Sequence, residues 1–269
     1  MFKKTLFLPL LLIFSSSFAQ DDISLISWNI KDFGQTKSEQ ELDAIAEVLR
    51  DVDIVALQEV VAGPAGAKAM ASLWDILNRK GSKWDYALSD PTNSPSKSTE
   101  RYAFLWKTSR VKRLGKARLV NELDSLVDRE PYLINFIKDG KELYVLDFHS
   151  RPDSEKAKSE IAAIADYLKN SEIQNATLLA GDFNLDEKEP AFDGLKNIGF
   201  TPAISFQRTT LKTSCDENIY LHRSVDNIFY SPGIHKSEAH CTNLVIYCDN
   251  LASIRSLSDH LPIFMEFNY

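Results

Sequence analysis

The sequence predicts an α+β fold built on mixed β-sheets. One observation is that short apolar runs of strand length recur along almost the whole chain, while three segments carry apolar residues at helical spacing. The other is their order: strand, helix, strand at the start, then several strands in succession, then helix and strand again.

Ile23–Ile30 is the first strand, and Leu42, Ile45, Ala46 and Leu49 form one face of the helix that follows. Asp53–Val60 is the next strand, and Met70, Leu73, Trp74 and Leu77 mark a second helix. Asp90–Ser98, with Pro91, Asn93, Pro95 and three serines, is an exposed loop. Tyr102–Lys107, Tyr132–Ile137 and Leu143–His149 are further strands. Ile161, Ile164, Ala165 and Leu168 define the third helix. Thr177–Ala180, Val225–Tyr230, Leu244–Tyr247 and Ile263–Phe267 complete the strand set. No repeat, long linker or shift in composition divides the chain, so residues 20–269 are expected to form one domain.

The first nineteen residues read differently. Lys3 and Lys4 precede an apolar run from Leu6 to Phe14, and small residues including Ser17 and Ala19 follow. This is the pattern of a secretory signal, with cleavage expected after Ala19 and a periplasmic or secreted product. The apolar run is short for a bilayer, and no later stretch approaches the ~20 residues a membrane span needs.

With 31 Lys+Arg against 38 Asp+Glu the net charge is −7, and losing Lys3 and Lys4 takes it to −9. That balance argues against a protein that holds nucleic acid by a bulk basic field. Phosphate chemistry would need a local site with a metal ion supplying positive charge. The three cysteines, Cys215, Cys241 and Cys248, allow three single pairings with one left over. Cys241 and Cys248 would close a short loop; alternatively all three are reduced and partly buried. No tetrahedral zinc spacing is present.

The informative pattern is the placement of polar residues at the ends of apolar strands, where a strand fixes the side chain and a loop admits substrate. Asn29, Gln58 with Glu59, His149, Asp182 with Asn184, Asp226 with Asn227, and Asp259 with His260 all stand at such ends. Any one alone is more often a turn or cap residue. Together their oxygens suit Mg²⁺, Mn²⁺ or Ca²⁺, and two histidines add an acid and a base near neutral pH.

Seven motifs in order then carry a resemblance. They are Trp28-Asn29-Ile30, Gln58-Glu59-Val60, Glu100-Arg101-Tyr102, Arg129-Glu130-Pro131, His149 with Pro152, Gly181-Asp182-Phe183-Asn184, and Ser258-Asp259-His260. On these residues the chain resembles the endonuclease/exonuclease/phosphatase superfamily, and within it the deoxyribonuclease I-like nucleases. The resemblance implies a four-layer α/β/β/α sandwich with two packed mixed sheets. It implies Glu59 as principal metal carboxylate, with Asn29, Asp182 and Asp259 completing or adjoining the site. It also implies Asn184 and Asp226 near the scissile phosphate and Arg129 on a phosphate oxygen; read without the motif, Arg129 would be a salt bridge to Glu130. His260 is implied as general base with an acidic partner, and His149 as general acid paired with Glu100. The cofactor implied is Mg²⁺, with Mn²⁺ possible as substitute and Ca²⁺ as a structural ion.

The function expected from this resemblance is an exported, metal-dependent DNA endonuclease leaving 5′-phosphate ends. It would act as a monomer, without tight non-specific binding to nucleic acid. Where deoxyribonuclease I inserts an arginine and a tyrosine into the minor groove, this chain has Val61 and Ser98. Thr209 and Thr210 stand near the phosphate or are turn residues. The alternative is a phosphodiesterase or phosphatase of the same fold acting on a lipid or inositol phosphate. A third, a catalytically silent binding domain, would not require Glu59, His149, Asp182, Asn184 and His260 together.

Overall fold

The computed structural model describes residues 22–95, 99–171, 173 and 176–269. The expected leader with its cleavage point after Ala19, and Ser98, lie outside the described residues. The first half runs β1 (Ile23–Phe33), α1 (Glu39–Leu49), β2 (Ile54–Val61), α2 (Pro64–Arg79), β3 (Trp84–Leu88), β4 (Glu100–Lys107), β5 (Lys112–Arg113) and β6 (Arg118–Leu119). There follow β7 (Tyr132–Lys138), β8 (Lys141–His149), α3 (Ser154–Asn170), β9 (Ala176–Asp182), α4 (Asp193–Asn197) and β10 (Thr201–Pro202). The last part is β11 (Leu211–Asp216), β12 (Ile219–Leu221), β13 (Asp226–Tyr230), β14 (His235–Cys241), α5 (Leu251–Leu257) and β15 (Ile263–Asn268).

Six strands form one sheet in the order β14-β15-β1-β2-β4-β3. A second sheet runs β10-β13-β9-β8-β7-β5, with β6 also beside β7. Each sheet holds one parallel pair, β1–β2 and β8–β9, among antiparallel neighbours. The sheets pack face to face through alternate residues such as Leu25, Ile54, Ile134, Val145 and Leu178. Phe104 stacks on Tyr132 and Trp106 meets Phe136 edge-on across this interface, both at 5.4 Å between ring centroids. The other face of the first sheet is covered by α1 and α2, and that of the second by α3 and α4. The result is the expected α/β/β/α sandwich. Ser38 and Glu41 form a capping box that starts α1, and the Asp153 side chain caps α3.

The structure corrects two expectations. Leu244–Tyr247 is not a strand. Asn243 accepts the Val245 amide and Asn250 that of Ile246, both at 3.1 Å, so side chains take the bonds a ladder would need. The disulfide joins Cys215 to Cys248, with Cα atoms 5.6 Å apart, and Cys241 is left free. The β11–β12 hairpin packs with Val245 and Leu251, which brings Cys215 to Cys248. Burial pushes the Cys241 thiol up to about 12, far from a reactive thiolate. Trp84 and Trp106 are core residues. Among the described residues no helix is long and apolar enough to cross a membrane.

Candidate active site

Parallel strands end where their antiparallel neighbours begin, so β1, β2, β8 and β9 finish at the same end of the sandwich at which β4 and β13 start. In the second sheet His149 pairs in register with Asp182, and Asp182 with Asp226. The three stand on one rung, about 4.8 Å from strand to strand. By period-2 alternation they share the face of Val145, Ala180 and Ile228, which looks into the sandwich. Gly181 permits this rung. Its φ is +145°, and an added Cβ would lie 1.8 Å from the Phe148 carbonyl oxygen.

The first sheet supplies the opposite wall. Asn29 ends the regular pairing of β1 with β2, opposite Gln58. Register shifts between Leu57 and Val60, where Glu59 sits at φ +60°. Such a backbone costs a non-glycine residue about 1–3 kcal/mol and clusters at functional sites. Here it brings the Glu59 carboxylate to the Asn29 Nδ2 donor at 3.0 Å and the Asp32 amide at 3.2 Å.

Two histidines face each other across Asp182. The Oδ2 atom of Asp182 lies 3.5 Å from His149 Nε2 and 3.7 Å from His260 Nδ1. His149 Nδ1 is held by Glu100 at 3.0 Å, and its backbone amide donates to the Tyr102 hydroxyl. His260 Nδ1 lies 3.0 Å from both oxygens of Asp226, whose Oδ2 also accepts from Thr209 Oγ1 at 2.5 Å. A carboxylate on Nδ1 fixes the ring and leaves Nε2 as the basic nitrogen of the neutral form. Ser258 positions His260 further, since its hydroxyl accepts from the His260 amide and donates to the Asn29 carbonyl.

The electrostatics follow from burial among acids. Burial alone would drive both imidazoles neutral. For His149 the Glu100 carboxylate outweighs it and the pKa is raised. For His260, Asp226 and Asp182 together hold it up to about 10.

Asn29 links the acids, donating Nδ2 to Glu59 at 3.0 Å and to Asp182 at 3.1 Å. Its Oδ1 is buried with no hydrogen-bond partner. An orphaned amide oxygen beside two carboxylates fits the all-oxygen donor set of a hard divalent cation. Asp182, Asp226 and His260 also offer ligand atoms within 4.8 Å of one another.

Some expected residues sit differently. Asp259 has cations of its own. Its carboxylate faces Lys31 at 3.3 Å and Arg255 at 3.9 Å, while Asp226 is the acid at His260. Arg129 is buried and pairs with Glu100 at 3.2 Å, and it donates to the carbonyls of His149 and Ser150. Asn184, at φ +52°, donates to the Ser150 carbonyl. Sequence reading missed Asp147, buried two residues before His149 and bonded to Gln58 across the sheets. The signal was an acid inside an apolar run.

A two-sheet sandwich with paired histidines and acids at one end defines a class of phosphoester hydrolases. The chain belongs to the endonuclease/exonuclease/phosphatase family, whose model matches residues 26–260. A deoxyribonuclease of Thioalkalivibrio sp. (strain K90mix) is 26% identical over 279 residues, covering 97% of this chain and 75% of that protein. Human deoxyribonuclease gamma is 26% identical over 188 residues, covering 65% of this chain and 61% of its own. In fold, an endonuclease/exonuclease/phosphatase family protein of Bacteroides thetaiotaomicron matches with a TM-score of 0.67 at 16% identity, covering 93% of this chain and 98% of that one.

Proposed function

We propose that this protein is an exported, divalent-metal-dependent nuclease that cleaves DNA internally and leaves 5′-phosphate ends. The observation that carries the reading is the pair of histidines flanking one carboxylate, each with its own acid on Nδ1. The two deoxyribonuclease relatives support the substrate.

Phosphodiester hydrolysis needs an in-line nucleophile, neutralised phosphoryl charge and a proton for the leaving oxygen. His149, buried and with its pKa raised by Glu100 against the cost of burial, is suited to donate that proton from Nε2. Arg129 acts through Glu100, fixing the carboxylate that fixes the ring. His260 takes the proton of the attacking water, with Asp226 and Thr209 orienting it. The family resemblance assigns Asn184 to a phosphoryl oxygen, a contact for which its amide would have to leave the Ser150 carbonyl. Glu59, Asn29 and Asp182 would hold Mg²⁺ or Mn²⁺. When bound, the ion offsets these acids and the phosphoryl charge, and so weakens the field that keeps a proton on His260.

Supercoiled plasmid nicking tests the reading. The purified protein should nick with Mg²⁺ or Mn²⁺ and stop with EDTA. Release of inorganic phosphate or a phosphorylated head group from lipid or inositol substrates, with no nicking, would replace the reading by the phosphatase alternative. Export is tested by the mass of the protein recovered outside the cytoplasm, which should begin at Gln20.

A further inference from the structure

Beside the site lies a surface that the hydrolytic machinery does not use. Phe206 is 81% exposed and has φ +61°, a backbone that bulky residues avoid. Its amide donates to Glu187 at 3.0 Å, and the Lys188 ammonium lies 3.9 Å from its ring centroid. The ring walls an open apolar notch of about 380 Å³ that also takes in Leu221 and Leu261. Arg208 lines this notch and also a second groove of about 370 Å³, which His222 and Arg223 line and which reaches Asn184.

The charges of the groove favour an anion. Arg208 and Arg223 are oriented by carbonyls, Arg208 by that of Leu221 at 3.4 Å and Arg223 by that of Asn184 at 2.9 Å. Neither forms an ion pair among the described residues, and guanidinium donors remain for a phosphate. The acids on the rim have cations of their own: Asp186 lies 3.9 Å from Lys188 and Glu189 4.0 Å from Lys158.

An exposed aromatic notch and a basic groove, separated by one arginine, alternate as base and phosphate do along a nucleic-acid strand. We infer that these two depressions form a subsite for an unpaired nucleotide flanking the scissile phosphate. Its base stacks on Phe206, and its phosphate lies on Arg208 and Arg223. Stacking on one aromatic face tolerates any base, whereas a base inside a duplex has both faces covered. The subsite therefore favours single-stranded substrate or a locally opened strand. The inference rests on the nuclease reading of the neighbouring site.

The test separates binding from cutting. Anisotropy of a fluorescein-labelled oligothymidylate, measured in EDTA so that nothing is cleaved, reads the subsite alone. Phe206→Ala should weaken binding roughly tenfold, the worth of one stacked base. Arg208→Ala should weaken it and lower the salt dependence by about one phosphate contact. With Mg²⁺, Phe206→Ala should raise KM on single strands, while its kcat and its hydrolysis of bis(p-nitrophenyl) phosphate stay at wild-type levels. Phe206→Tyr should restore binding. Unchanged oligothymidylate binding by Phe206→Ala would overturn the inference, and so would equal weakening on a blunt duplex, which points to backbone contact alone. A wild-type protein that binds the oligomer but cuts neither it nor plasmid would uphold the subsite and overturn the nuclease reading.

Discussion

Replacing Asp226 with Asn removes the carboxylate facing His260 Nδ1 at 3.0 Å while nearly preserving side-chain volume. Against the opposing cost of burial, Asp226 and Asp182 hold His260 at about 10, where an ordinary histidine sits at 6.5. The folded state therefore binds this proton more tightly than the unfolded chain does. The stabilisation is fully present below pH 6.5 and is lost as pH rises through about 10. Its size is at most about 5 kcal/mol, at 1.36 kcal/mol per pH unit between the two values. The Asn variant should lose most of it, because Asp226 is the acid that hydrogen-bonds the ring. The measurement is urea unfolding in EDTA at several pH values across this window, with the His260 ring followed by NMR. Wild-type stability should fall with pH across the window, and the variant's should fall much less. A flat wild-type profile, or a variant with the wild-type slope, would refute this account of the pocket.

Other outcomes follow from the same contacts. His149→Ala and His260→Ala should each lower plasmid nicking by about 10²- to 10⁴-fold with a retained fold by circular dichroism, and unchanged nicking would remove them from the acid–base roles. Glu100→Gln should cut kcat by about 10- to 100-fold, with little change in KM, because it acts through His149. Gly181→Ala should destabilise the protein by more than about 4 kcal/mol, since its Cβ meets the Phe148 carbonyl; a Tm within a degree or two of wild type would show that the strand shifts freely. Cys215→Ser should cost about 4 kcal/mol for a loop of 33 residues, read from urea unfolding, with Cys241 titrating as a free thiol in both proteins.

Most of the sandwich was legible because its central strands are long, apolar and bounded by polar ends, as in β1, β2, β8 and β9. The edges were not. β14, His-Lys-Ser-Glu-Ala-His-Cys, turns only Ala239 and Cys241 to the core, an alternation too short to read as a strand. Leu244–Tyr247 has strand composition, but neighbouring asparagines capture its amides. Of the site, the residue types and their strand ends were readable. Their pairing was not: the resemblance left the acidic partner of His260 unnamed, and the fold brings Asp226 to it from 34 residues away. The turn of Glu59 into the left-handed region leaves no mark in composition. Spacing likewise could not choose Cys215 over Cys241 as the partner of Cys248, because that choice belongs to the hairpin.

The rung of His149, Asp182 and Asp226 has a bearing on the life of the chain before it folds. Its members come from three strands, and β13 joins them only after residue 226 has been made and seated against β9. The opposite wall needs Asn29 from the other end of the sequence. No fragment of the polypeptide holds the hydrolytic group, and a one-residue slip of β9 would turn Asp182 away from both histidines. A chain still on the ribosome therefore carries the sequence of an endonuclease/exonuclease/phosphatase family hydrolase without its action. Topology withholds the assembled group until the second sheet closes on the first.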